Sequence, residues 1–318
     1  MQEAILNFNK QFLFEPEIKN SKNLARKKSF VSIGMGGSNL APKLLKSWKP
    51  DLDILVHSDY GLPEGELKNK TIIISSYSGN TEESIDAFEI GKKHNLSMVV
   101  ISTGGKLLDL AIKNKIPYIQ MPNAGIQPRM ALGFSIKAFL KIIGEEELKN
   151  ISKLATTLNP SDYEEEGKKL AKSFKNHIPV VYSSTRNLSI AYNWKIKFNE
   201  TGKIPAFYNV FPELNHNEMT GFDLKDATRE LSQKFYFILF KDKDDDPRIQ
   251  KRMGVLENLY KNRGLSIQTI EIKGENIWHK IFGALILADW AAYHTALEYG
   301  LEAEQVPMVE EFKKLILD

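Results

Sequence analysis

Two segments of the chain concentrate hydroxyls, glycines and backbone amides. In Ser75-Ser76-Tyr77-Ser78-Gly79-Asn80-Thr81-Glu82-Glu83, three hydroxyls (Ser76, Ser78 and Thr81) fall within six positions around Gly79. Capping a helix needs one hydroxyl, so the surplus points to another use. Several neutral donors at a helix start, without a cation, suit a phosphate monoester. The second segment is Gly34-Met35-Gly36-Gly37-Ser38, whose glycines let N–H groups approach an anion. It is neither the dinucleotide fingerprint nor the nucleotide phosphate loop, which needs a lysine that is missing here. Alone it reads equally well as a tight strand-to-helix turn. Two such loops in one domain favour binding, with Gly36, Gly37, Ser38, Ser76, Ser78 and Thr81 as the binding residues.

Other candidates lie further along. Of the six histidines, only His216 sits in a polar, turn-like cluster, Asn215-His216-Asn217-Glu218, after Pro212. Its near-neutral intrinsic pKa suits proton transfer, and Glu218 either orients it or faces solvent. Arg129 follows Pro128 at a helix start, where the dipole disfavours a cation unless an anion is near. Glu200 ends a helical stretch before Thr201-Gly202-Lys203 and by itself reads as a solvated carboxylate.

The elements that must position these residues alternate. Ser29–Ile33, Asp53–His57, Thr71–Ser75, Met98–Ser102 and Tyr118–Met121 are short, apolar and β-branched, as strands buried on both faces are. Helical stretches at Asn39–Trp48, Thr81–His94 and Leu107–Asn114 separate them, and Pro128–Ile143 reads as one long helix ended by Gly144. Such alternation predicts a parallel sheet flanked by helices. A second round supplies strands at Ile178–Ser183, Phe207–Val210, Phe235–Phe240 and Leu265–Ile272. Its helices are Ile190–Glu200, Met253–Arg263 and Ile277–Glu298. VSIGMGGS and VVYSSTRN both read as strand, polar turn, helix, a faint sign of two similar sheets in tandem. The expected fold class is therefore α/β with two such domains, residues 1–150 and 151–318, divided at the charged segment 145–153. The run KDKDDD at 241–246 reads as a solvated loop.

Composition narrows the function classes. The chain of 318 residues has 42% hydrophobic and 26% charged residues, ordinary globular values. Its 43 basic and 40 acidic residues give a net charge of +3 with no basic tract, which argues against a nucleic-acid partner. There is no cysteine, so disulfides, cysteine-ligated metals and a thiolate nucleophile are excluded. The N-terminal residues lack a signal-peptide pattern, and no apolar run reaches the roughly 18 residues of a membrane span. The expectation is a cytoplasmic protein without a membrane partner.

SIGMGGSNLAPKLL and ISSYSGNTEES resemble the sugar isomerase domain, a phosphosugar-binding α/β unit. GIQPRMALG at 125–133, KIKFNETGKIPAF at 195–207 and PELNHNEMTGF at 212–222 follow in matching order. Together the five motifs resemble the phosphoglucose isomerase superfamily, specifically its bifunctional phosphoglucose/phosphomannose branch. The resemblance implies tandem sugar isomerase domains, no cofactor, no metal, and interconversion of an aldose 6-phosphate with fructose 6-phosphate. It implies Glu200 as the base that moves a proton between C2 and C1. His216 would open the sugar ring, Arg129 would face the developing enediolate, and Lys313, favoured over Lys314 by alignment on Pro307, would contact the sugar. It also implies a homodimer in which His216 comes from the other subunit. The family has Asn-Glu-Asn where this chain has Asn199-Glu200-Thr201. Bifunctional members have Thr before the C-terminal proline where this chain has Val306, which bears on mannose 6-phosphate more than on glucose 6-phosphate.

Two rivals follow from the same domain type. A non-catalytic phosphosugar sensor needs the phosphate loops but not Glu200 and His216, and usually brings an effector segment. An amidotransferase isomerase half needs ammonia delivered by a glutaminase with an N-terminal cysteine, and the chain has no cysteine.

Overall fold

The computed structural model describes residues 1–316 apart from Arg26 and Glu145, and it folds as two units. The first unit is Asn7–Leu158, and the second combines Asn159–Asp318 with Met1–Leu6.

The first unit is built on a five-stranded, wholly parallel sheet of order β2-β1-β3-β4-β5. Its strands are β1 (Phe30–Ile33), β2 (Ile54–His57), β3 (Thr71–Ser75), β4 (Met98–Ser102) and β5 (Tyr118–Gln120). Strands β1, β3 and β4 are buried along their whole length, as the unbroken apolar runs require. The flanking helices are α1 (Leu40–Trp48), α2 (Glu82–Lys93), α3 (Gly105–Lys113) and α4 (Leu132–Ile143). The chain leaves β1 for β2 on one side and returns to β3 on the other. The carboxyl ends of β1 and β3 are therefore the point where strand order reverses, and open α/β sheets bind ligands there.

Pro128–Ile143 is not one helix. A 3-10 turn at Pro128–Met130 is followed by Ala131 at φ −89°, ψ 25°, and α4 starts at Leu132. Gln11 stabilises the break: its Nε2 donates to the Met130 carbonyl at 2.7 Å, and its Oε1 accepts from the Gly133 amide at 3.0 Å. Lys137 is fully buried in α4 yet uses all three ammonium donors, on the Phe12 carbonyl (2.8 Å), Glu15 (3.0 Å) and Ser152 (2.8 Å). The unit runs on past residue 150 because Ile151 and Leu154, in the short helices Leu148–Ser152 and Leu154–Thr157, are buried in it. The Asn9 side chain also donates to the Ala155 carbonyl at 2.9 Å. Charge along 145–153 marked an exposed segment but concealed this apolar face.

The second unit has a four-stranded parallel sheet of order β7-β6-β8-β9, with strands β6 (Ile178–Ser184), β7 (Phe207–Phe211), β8 (Phe235–Lys241) and β9 (Ser266–Glu271). Its helices are α5 (Glu164–Ser173), α6 (Leu188–Glu200), α7 (Pro247–Asn262), α8 (Ile277–Glu298) and α9 (Pro307–Leu315). Here too the first strand, β6, has its sequence neighbour β7 on one side and β8 on the other. Each sheet's first strand leads through a 3-10 turn (Gly36–Asn39, Thr185–Asn187) into a helix, so the faint internal parallel is architectural. Helix α8 is apolar on nearly every side and forms the spine. Trp290 donates to the Pro160 carbonyl, and the Trp194 indole of α6 donates to the Ala284 carbonyl. Helix α7 begins at Pro247, earlier than the expected Met253, because Asp246 caps it and proline is at home in a first turn.

Candidate active site

The first unit gathers six of the candidate residues at the switch point, and Arg129 lies alongside. Between β3 and α2, the Ser76 and Thr81 hydroxyls are 2.8 Å apart, and Ser76 Oγ also accepts from the Gly79 amide at 3.1 Å. Thr81 is the cap residue of α2, yet its hydroxyl makes no capping bond. The hydroxyls thus bond within the loop instead of capping the start of α2. Gly79 sits at φ +72°, and a Cβ there would lie 1.8 Å from the Gly104 carbonyl, so only glycine fits. Ser78 is exposed at the mouth of the loop, and its Oγ accepts from the Asn80 amide.

The two loops are joined. Ser38 Oγ, in the β1–α1 loop, accepts from the Tyr77 amide at 2.8 Å. Gly37 packs against the Pro128–Arg129 backbone so closely that a Cβ would lie 2.8 Å from the Arg129 nitrogen. Three motifs far apart in sequence therefore meet at one place. Arg129 itself is 2% exposed, a depth at which a guanidinium is held by partners.

The second unit holds Glu200, His216 and Lys313. Glu200 is the last residue of α6 and is half-buried. The chain turns tightly after it. Lys203, at φ +60°, donates to the Glu200 carbonyl at 2.6 Å, and Asn199 donates to the Ile204 carbonyl at 3.0 Å. One turn back, Lys197 and Asp289 of α8 form an ion pair in which both side chains are 1% exposed. Burial pushes the Tyr192 phenol up, with Tyr208 and the Glu200 carboxylate adding to it.

His216 follows β7, ending the 3-10 turn Glu213–Asn215, with its amide on the Glu213 carbonyl at 2.9 Å and its side chain exposed. Helix α6 runs back antiparallel to the strands, so Glu200 lies before β7 and His216 after it. Roughly 15 Å of strand separates them. One chain thus presents the carboxylate at one end of β7 and the imidazole at the other. Lys313 pairs with Glu310 at 2.8 Å on α9, which buries none of its residues. The expected face of Val309, Phe312 and Ile316 forms, and it is 44%, 61% and 52% exposed.

At the end of β8 the second sheet carries carboxylates, beside the Ser184 hydroxyl that ends β6. Asp242 and Asp245 are 1% and 5% exposed, which corrects the solvated-loop reading of 241–246. Ser184 donates to Asp245 at 2.6 Å, and Lys280 to Asp242 at 2.5 Å and Asp244 at 2.6 Å. Burial pushes the Asp245 carboxyl up, opposed by the Ser184 bond and reinforced by Asp242. Among the described residues no group of three or more His, Cys, Asp or Glu could hold a metal ion. No helix there is long and apolar enough to cross a membrane.

Comparison with known proteins places this arrangement. A family described as the bacterial phospho-glucose isomerase C-terminal SIS domain matches residues 163–316. The bifunctional phosphoglucose/phosphomannose isomerase of Thermoplasma volcanium is 32% identical over 317 residues, covering 99% of this chain and 98% of its own. The chain belongs to the bifunctional phosphoglucose/phosphomannose isomerase family. A more distant relative, the D-glucosamine-6-phosphate 4-epimerase of Sulfolobus acidocaldarius, is 24% identical and covers 94% of this chain and 90% of its own. Among solved structures, glucosamine-6-phosphate deaminase from Thermotoga maritima aligns with a TM-score of 0.68 at 15% identity, covering 96% and 95% of the two chains. At that identity the likeness establishes the fold, and the two parallel sheets flanked by helices agree with it.

In this family member, residue-type reasoning missed the buried charges. Lys197, Lys280 and Asp289 each interrupt an apolar helical stretch, and that is the signal that could have found them. Glu218 neither faces solvent nor is spent on His216: its carboxylate accepts from the Tyr182 hydroxyl at 2.5 Å and from the Asn209 side chain.

Proposed function

We propose that the protein interconverts glucose 6-phosphate, and more slowly mannose 6-phosphate, with fructose 6-phosphate by proton transfer through a cis-enediol. The observation that carries this reading is the joined pair of hydroxyl-and-amide loops at the first sheet's switch point, in a family member that retains Glu200 and His216. The phosphate dianion takes its donors from the Ser38, Ser76, Ser78 and Thr81 hydroxyls and from the amides of Gly36 and Gly37.

His216 gives a proton to the ring oxygen as the C1–O5 bond breaks, and the O1 hydroxyl gives its proton to water as its electron pair forms the aldehyde. Glu200 takes the C2 proton. The C2–H electron pair forms the C1–C2 double bond, and the carbonyl pair moves onto O1. Arg129 stabilises that negative charge, and electrostatic preorganisation of this kind is often the largest catalytic contribution. Glu200 returns the proton to C1 as the O2 hydroxyl proton passes to O1 and the O2 electron pair forms the C2 carbonyl, which gives the ketose. Lys313 contacts the sugar. No step calls for a metal or an organic cofactor.

The separation of Glu200 and His216 along β7 supports a homodimer in which a second copy supplies the imidazole. Val306, where bifunctional members carry Thr, offers bulk without a hydroxyl and biases the enzyme against mannose 6-phosphate.

A coupled assay of the purified protein on fructose, glucose and mannose 6-phosphates, with chelator present, tests the reading. Isomerisation without ammonia, glucose 6-phosphate favoured, is expected. Binding without turnover would indicate a sensor, and inversion at C4 alone would indicate epimerase chemistry.

A further inference from the structure

Strand partners β6 and β7 place Tyr182 directly opposite Asn209. Cross-strand partners share a face of the sheet, and both side chains here reach the same group, the Glu218 carboxylate. The Tyr182 ring is wholly buried against Phe211, Phe237 and Tyr260. A buried phenol must find an acceptor, and its hydroxyl donates to Glu218 Oε1 at 2.5 Å. Asn209 supplies the donor for Oε2. Both carboxylate oxygens are therefore satisfied from the core, by charge-assisted bonds that are stronger than neutral ones.

Glu218 lies two residues beyond His216, and the segment between them is held in turn. The Glu218 amide donates to Asn217 Oδ1 at 2.5 Å, and Asn217 Nδ2 donates to Glu213 at 2.7 Å. The His216 amide also bonds the Glu213 carbonyl. An exposed imidazole on a surface turn would otherwise sample many orientations. The chain of contacts runs from the central strand through Glu218 to the backbone on both sides of His216. Burial, with Tyr260 and Glu218 adding, keeps the Tyr182 phenol far above its ordinary pKa, so it remains a donor across the working pH range.

We propose that Tyr182 and Asn209 are positioning residues for ring opening, acting through Glu218 on the turn that carries His216. This rests on the isomerase reading above. The test uses the full-length protein with Tyr182→Phe, which keeps the packed ring and removes only the hydroxyl. Turnover of fructose 6-phosphate should fall on the order of tenfold or more, the worth of a hydrogen bond to a charged group. KM should stay nearly constant. Enzyme-catalysed anomerisation of glucose 6-phosphate should fall in parallel, because it reports ring opening alone.

In a His216→Ala background, Tyr182→Phe should cost nothing further, since both changes remove the same step. Asn209→Ala, on the edge strand β7, should repeat the pattern and serves if Tyr182→Phe does not fold. Normal anomerisation by both variants, or losses that add to that of His216→Ala, would overturn the proposal and leave the isomerase reading standing. Normal turnover by His216→Ala itself would remove His216 from the chemistry, and the proposal with it.

Discussion

A carboxylate that takes a proton from carbon differs from one that merely fills space, and Glu200→Gln separates the two. The amide keeps size and polarity but accepts no proton. A positioned general base contributes about 10²–10⁴-fold, so kcat should fall at least that far with little change in KM. Deuterium exchange between the sugar C2 position and solvent, followed by NMR during turnover, should be lost with it. Near-normal turnover would refute the assignment. The proposed phosphate loops predict the converse split. Ser78→Ala with Thr81→Val removes one exposed hydroxyl and the partner of the Ser76 hydroxyl. KM for the phosphosugar should then rise tenfold or more, on the order of two lost hydrogen bonds to a charged group. Free fructose should be a poor substrate for any variant, and equal turnover of fructose and fructose 6-phosphate would defeat the idea of a phosphate cradle.

At the scale of the element, what holds α6 in place bears on Glu200 at its end. Lys197 and Asp289 are both fully buried, so removing one partner leaves a charge in the core. Lys197→Met should cost about 3–5 kcal/mol in chemical denaturation, and the double change Lys197→Met, Asp289→Leu considerably less. A full-sized loss in the double variant would show that packing matters and pairing does not. Helix α7 makes a pH prediction. Its cap, Asp246, is held down at about 2 by hydrogen bonds from the Arg248 side chain and amide. A carboxyl depressed on folding adds stability above its unfolded pKa, about 4, and that stability is lost as pH falls toward the folded value. The stability gap between wild type and Asp246→Asn should therefore narrow from pH 5 to pH 2, and a constant gap would contradict the cap's titration. The sequence showed α6 and the strands because apolar runs and turn residues report local burial directly. It hid the start of α7 because acid-rich 241–246 looked solvated, although Asp242 and Asp245 face inward. Those carboxylates are repaid by Ser184 and Lys280, tens of residues away, and no local pattern encodes such a contact. The joined loops at the first switch point were legible as hydroxyl-rich turns because such turns are local. Tyr182 and Asn209 were not, because register between β6 and β7 is a tertiary fact.

For the whole molecule, the isomerase reading makes each chain half of a working pair, because Glu200 and His216 lie at opposite ends of β7. Mixing inactive Glu200→Ala and His216→Ala proteins under conditions of subunit exchange should restore part of the activity through hybrid dimers. No recovery despite verified exchange would count against a shared site. The two sheets also differ in what fills their crevices. One carries neutral hydroxyls and amides, whereas the other is occupied by the chain's own aspartates, bonded by Lys280 and Ser184. A dianion arriving at the second crevice would meet carboxylates already held there. On the isomerase reading, duplication of the architecture has therefore not duplicated the binding site. On the isomerase reading, each chain is expected to be saturated by a single phosphosugar, because the second half already holds carboxylates of its own where the first would receive the ligand's anion.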